Sequence, residues 1–235
     1  MAGEKFNVET LNAFLKAISA KDGVEISWFL SELDRLFGFE RAQDDIDDFR
    51  LKRGPWKKLA DEVVVVAHHF EFLQFPKGRV RFPLDNECPD CWFMLNCKKE
   101  WQGLEVTRAS ARHIYEETKM MIRDGYLSSR IPLPDNASSN EVTEYFDKTE
   151  SCGLYSSIDC ADSMMKGIQT CIRKKNNQTP PEYILLIDAT LNLLRRESWG
   201  DMVCKLQESE VNAKLREIHV ISYAGKNSIW GFQIK

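Results

Sequence analysis

Apolar residues recur along the first third of the chain at spacings of three and four. Over 7–20, Leu11, Phe14, Leu15 and Ile18 fall on one side of a helix; 26–37 repeats the pattern and Gly38 supplies a stop. Pro55 suits the first position of a further helix. The run WKKLADEVVVVAHHF after it puts Leu59, Val63, Val66 and Phe70 on one face. Its four valines would also suit a strand; length and spacing favour the helix.

Near residue 79 the period changes. RVRFPL (79–84) alternates and predicts a short strand, and CWFMLNC (91–97) is an apolar run of strand length. KKEWQG reads as a polar turn and GLEVTRA as a second strand, so the two form a hairpin. Helical spacing returns over 109–123 and stops at Gly125; 125–140, rich in proline and serine, reads as a loop. A short helix near 140–148 and a longer one over 158–175 precede the Pro180-Pro181 break. YILLID (183–188) predicts a buried central strand. Helical spacing near 192–207 and two strands, EIHVISY and SIWGFQI, complete the chain. This order predicts an α/β fold, a mixed central sheet flanked by helices. Residues 1–55 read as a helical N-terminal extension and 56–235 as the main domain.

Composition alters this picture little. The chain has 235 residues, 43% hydrophobic and 29% charged, enough for a sizeable core without staples. No run of about 18 apolar residues predicts a membrane span. The first residues carry charges where an export signal needs an apolar stretch, so the expected compartment is the cytoplasm. Seven cysteines, an odd number, suit buried or metal-bound thiols better than a disulfide framework. The net charge of −4 argues against a protein that is basic all over. It leaves room for a chain with acids gathered at a metal and basic residues along one groove.

The chemistry concentrates in NECPDCWFMLNCKKEWQGLEVTRA (86–109). Asp90 stands at the mouth of one strand and Glu105 inside the next. Pairing across the hairpin brings both carboxylates to one end of the sheet. Two carboxylates on rigid strands suit Mg²⁺, which takes oxygen ligands and keeps several waters. Such an ion polarises a phosphate, lowers the pKa of a bound water and orients its attack.

Pro89-Asp90, an apolar strand, a turn and Gly103-Leu104-Glu105-Val106-Thr107 together resemble the PD-(D/E)XK nuclease superfamily, whose fold is restriction-endonuclease-like. The variant here has Glu-Val-Thr where most members have Glu-X-Lys. MKGIQTCIRKKNNQTPPEYILLID (165–188) resembles the lysine-bearing helix and core strand of such members. The resemblance covers roughly residues 57–235. It implies Asp90 and Glu105 as metal ligands, the Val106 backbone carbonyl as a further one, and Thr107 in place of the lysine. It also implies Glu62 as the extra helix glutamate some members use. Mg²⁺, or Mn²⁺ in its place, is the implied cofactor and DNA the implied substrate. Nucleases that cut both strands commonly work as homodimers, although no dimer face is legible.

Thr107 is the departure that matters, because a threonine hydrogen-bonds but brings no charge to a developing phosphate anion. Arg108 follows it but points to the opposite face of the strand. On the 158–175 helix, Ala161, Met165, Ile168 and Ile172 define the inner face, and Lys175 falls near it. Lys175 is therefore the candidate substitute.

Other readings stay open. A nuclease fold that has lost its lysine serves as a nucleic-acid-binding or protein-interaction module. Cys88-Pro-Asp-Cys91, with Cys97, His68 and His69 nearby, suggests a zinc site, but structural zinc normally takes four ligands and no second pair is present. Asp44, Asp45, Asp47 and Asp48 read as a solvated helix end. His113 has no partner legible in sequence. Trp199, Arg195 and Arg196 would suit nucleic acid, or a helix surface with one buried tryptophan.

Overall fold

A computed structural model describes residues 6–74, 77–84, 88–109, 111–124, 138–147, 157–189, 191, 199–209, 213–223 and 229–235. The fold is α/β. Seven strands form one mixed sheet whose order follows the chain, β1 to β7, with helices flanking it. No described helix is long and apolar enough to cross a membrane. The chain divides into two compact units. The first holds Met1–Val106 with Glu182–Ile184, the second Thr107–Pro181 with Leu185–Lys235.

The first unit begins with α1 (Val8–Ile18), capped by Asn7, whose Oδ1 accepts the Glu9 N–H at 2.8 Å. A two-residue strand, β1 (Val24–Glu25), leads into α2 (Ile26–Gly38) and α3 (Gln43–Arg50). The aspartate cluster starts in the first turn of α3, with Asp44 and Asp45, and runs on along it to Asp47 and Asp48. Pro55 caps the next helical run instead of occupying its first turn. That run is α4 (Trp56–Lys58), a π turn (Leu59–Val63) and α5 (Val64–Phe72). Leu59, Val63, Val66 and Phe70 are all fully buried, as helical spacing requires.

Strand β2 (Gly78–Arg81) ends sooner than its alternation predicts. The Phe82 N–H donates to Ile18 O at 2.9 Å, and Pro83 has no N–H to continue the ladder. Strands β3 (Cys91–Leu95) and β4 (Gln102–Arg108) form the expected antiparallel hairpin. Val80, Phe82, Cys91, Phe93 and Leu104 face the helices, and Phe29 meets Phe82 and Phe70 at 5.4 and 6.4 Å. A phenylalanine so enclosed contributes roughly 2–3 kcal/mol. Phe29 belongs to α2 and Phe70 to α5, so the N-terminal helices share one core with residues 56–106. The boundary drawn at residue 55 does not separate compact units.

Arg41 ties these helices together. Its guanidinium lies over Phe37 at 4.5 Å and within 6.0 Å of Phe6, Phe49 and Trp56, and its Nη2 donates to Leu36 O at 3.0 Å. Each cation–π contact adds about 0.5–2 kcal/mol. Burial lowers the Arg41 pKa, and the charge of Asp45 opposes this.

The second unit holds α6 (Ala111–Asp124), α7 (Ser139–Asp147), α8 (Ser157–Asn176), β5 (Ile184–Asp188, from Leu185 onward), α9 (Trp199–Ser209), β6 (Glu217–Tyr223) and β7 (Ile229–Gln233). Ser138 and Glu141 form a reciprocal capping box ahead of α7. Met164, Ile168 and Ile172 of α8 pack into one core with Leu185 and Ile187 of β5 and Met202 and Leu206 of α9. Strands β6 and β7 pair antiparallel. Most of the predicted 125–140 loop and the 192–198 part of the predicted helix lie outside the described residues.

Candidate active site

The β3–β4 register pairs Cys91 with Leu104 and Trp92 with Gly103. One step further, Asp90 stands opposite Glu105. The Asp90 side chain turns onto the β4 backbone, where Oδ2 accepts the Val106 N–H at 2.8 Å. A half-buried charge-assisted hydrogen bond of this kind fixes the carboxylate's position.

Glu62 is supplied by the π turn. The Val64 N–H reaches back to Leu59 O, which widens the helix by one residue and changes which side chains face the strands. Glu62 is only 9% exposed. Lys58 Nζ lies 2.6 Å from its Oε1, whereas the buried Oε2 has no hydrogen-bond partner among the described residues. Burial, and then the charge of Asp90, push the carboxyl up to about 7; Lys58 acts in the other direction. The fully buried Cys91 thiol is raised by burial, then by Asp90 and Glu62, with Arg81 opposing. Asp90 and Glu62 thus act on each other and on one thiol.

Glu105 is also buried, at 5% exposure. It shares a β4 face with Gly103, two residues away. The Tyr183 ring lies on that glycine: a Cβ at 103 would come within 2.6 Å of it. The Tyr183 hydroxyl is pushed up by burial, then by Cys88, Glu182 and Glu105. The charges acting on Glu62 are those of Asp90, Lys58 and Asp61, without Glu105. Asp90 therefore reaches the strand that carries Glu105, and its charge acts on Glu62. Among the described residues no three His, Cys, Asp or Glu side chains gather as a metal-binding group.

Two carboxylates, one with a buried oxygen lacking a hydrogen-bond partner, still fit a hard cation that keeps most of its waters. Asp90 and Glu62 are the residues able to hold it, with Glu105 on the neighbouring strand. The zinc reading gains nothing, because Cys88 and Cys97 are exposed while Cys91 is fully buried.

Thr107 and Lys175 belong to the second unit. The Thr107 hydroxyl donates to Cys171 Sγ at 3.8 Å, a weak bond directed into that unit's core. Lys175 is half-buried in the last turn of α8. Arg108 pairs with Asp188 at 2.7 Å. His113, buried on α6, lies 3.2 Å from Glu117. Trp199 packs on Trp230 at 5.5 Å; Arg195 and Arg196 lie outside the described residues.

One residue beside this site was missed from the sequence. Arg81 of β2 sits between the indoles of Trp92 and Trp101, 5.5 and 5.4 Å from their ring centres. The Arg-Val-Arg-Phe alternation was the available signal, since it puts Arg79 and Arg81 on the face opposite Val80 and Phe82.

No family model, curated protein or solved structure matches this chain.

Proposed function

We propose that the chain is a metal-dependent phosphodiesterase acting on nucleic acid, DNA foremost, with Mg²⁺ or Mn²⁺ held at the Asp90–Glu62 carboxylates and Glu105 beside them. The observation that carries the reading is the Glu62–Asp90 pair. A carboxyl that keeps its proton near neutral pH, first because it is buried and then because of a carboxylate's charge, is relieved by a cation. When bound, the ion supplies Lewis acidity and a water of lowered pKa. Asp90 is held in one orientation by the Val106 N–H. Lys58 anchors one oxygen of Glu62 and leaves the other for a ligand. Glu105, on β4 beyond the Cys91–Leu104 pair, would be a further carboxylate to accept a proton or bind the ion. The PD-(D/E)XK resemblance points the same way and names the substrate class.

One observation favours a second reading, a binding module without catalysis. Thr107 replaces the expected lysine and spends its hydroxyl on Cys171. Cleavage of supercoiled plasmid and single-stranded DNA with Mg²⁺ or Mn²⁺ separates the two. The phosphodiesterase reading predicts metal-dependent cutting that falls at least 100-fold, on the order of 3 kcal/mol in the barrier, in Asp90→Ala and in Glu105→Ala. No cutting on either substrate, or cutting that survives both substitutions, overturns it in favour of the module.

A further inference from the structure

Arg81 differs from its neighbour two residues earlier. The Arg79 guanidinium is fully engaged, donating to Asp22 O at 2.9 Å and Gly23 O at 2.8 Å and lying 3.3 Å from Glu25. Arg81 makes no hydrogen bond or ion pair among the described residues, and its Nε is buried. An uncommitted buried donor asks for an explanation, because native structures pair almost all such groups.

Both indoles that hold Arg81 are themselves fixed. Trp92 meets the edge of Tyr183 at 5.5 Å. Trp101 lies on Gly23, whose φ of +64° and lack of a side chain allow that approach: a Cβ there would be 2.9 Å from the indole. The guanidinium plane is thereby set in advance by packing, while its donor edge is left uncommitted. That is the arrangement suited to a bidentate phosphate, and a flexible lysine does not provide it.

The register gives the position. Arg81 stands opposite Trp92, and Trp92 opposite Gly103. The three form one row on a single face, and Glu105 is the next residue along that face of β4. At the other end of the hairpin, Lys77, Lys98 and Lys99 are exposed and take part in no ion pair among the described residues. The β3 segment between them is five residues, about 17 Å. Three lysines thus stand at the hairpin tip, with Glu100 beside them, and partly exposed indoles flank Arg81 at the other end.

We propose that Arg81 is a phosphate-binding residue for a nucleic-acid strand that lies across β2 and β3, over Arg81 and its two indoles and toward Lys98 and Lys99. The identity of the strand rests on the phosphodiesterase reading; the anion site does not. Trp92 and Trp101 hold the arginine and offer ring surface to unpaired bases, which favours a single strand.

The test is fluorescence anisotropy of a labelled 20-nucleotide single-stranded DNA against the full chain in EDTA, where nothing is cut. Wild type is expected to bind, and Arg81→Gln to bind at least tenfold more weakly. The salt dependence of log K should then fall by about 0.7, one phosphate contact on a single strand. If circular dichroism finds Arg81→Gln unfolded, Arg81→Lys decides, because it keeps a cation over both rings but no fork; a loss of fivefold or more is expected. Absence of wild-type binding, or an affinity unchanged by the substitution, overturns the proposal. Metal-dependent cleavage in the Asp90 and Glu105 variants is read separately, so either idea can fail while the other stands.

Discussion

Glu62 lies within a helical run, with one oxygen on Lys58 and the other buried beside the charge of Asp90. Its carboxyl is raised from 4.5 to about 7. Between those values the folded chain holds a proton that the unfolded chain has released. Stability is therefore complete at low pH and declines as pH rises through that window. In the absence of metal, Glu62→Gln should stabilise the protein by roughly 1–3 kcal/mol at pH 8 and by much less at pH 5, read from urea unfolding at the two pH values. Equal effects at both pH values would mean that the carboxyl is not raised. Asp90 and Glu105 were legible because strand spacing around a tight turn dictates their positions. A role for Glu62 beside Asp90 was implied only by the PD-(D/E)XK resemblance and not by the pattern of apolar positions. It depends on where a π turn falls and on a side-chain rotation toward the Val106 N–H, and neither leaves a periodic trace.

At the scale of elements, the helices were legible because their buried residues keep helical spacing. Leu59, Val63, Val66 and Phe70 decided helix over strand, and all four are core. Strand β1 was not legible, since two residues define no period and exist as a strand only through Val24 and Glu25 pairing with β2. The end of β2 was misread because the Phe82 N–H leaves the ladder for Ile18. Strand β4 carries Glu105 and depends on a close approach at Gly103. There an added Cβ would meet the Tyr183 ring at 2.6 Å. Gly103→Ala should cost about 1–3 kcal/mol through overpacking and displace Tyr183 from the face that bears Glu105. Gly38→Ala, with nothing within 4 Å of the new carbon, is the control and should change stability by less than about 0.5 kcal/mol. Chemical denaturation of both variants checks this. Equal stabilities would show that the ring does not rest on the strand.

For the whole molecule, alternating helices and strands were enough to read an α/β fold, and the mixed sheet follows that order. The domain division was not readable. Helices α1 to α3 carry their own amphipathic faces and look separable in sequence, yet Phe29 and Arg41 join them to residues beyond 55. Compactness depends on which apolar faces meet, and composition along the chain does not record that. The net charge of −4 likewise averages over a carboxylate end and a lysine-bearing tip on one hairpin.

The central claim is that Glu62 and Asp90 share a divalent cation, and a calorimetric Mn²⁺ titration at pH 7 in two buffers of different ionisation heat tests it most directly. A carboxyl near 7 is about half protonated there, so binding should release a fraction of a proton. One saturable site is expected, abolished in Asp90→Asn and weakened without proton release in Glu62→Gln. No saturable binding by the wild type, or binding unchanged in both variants, would contradict the account.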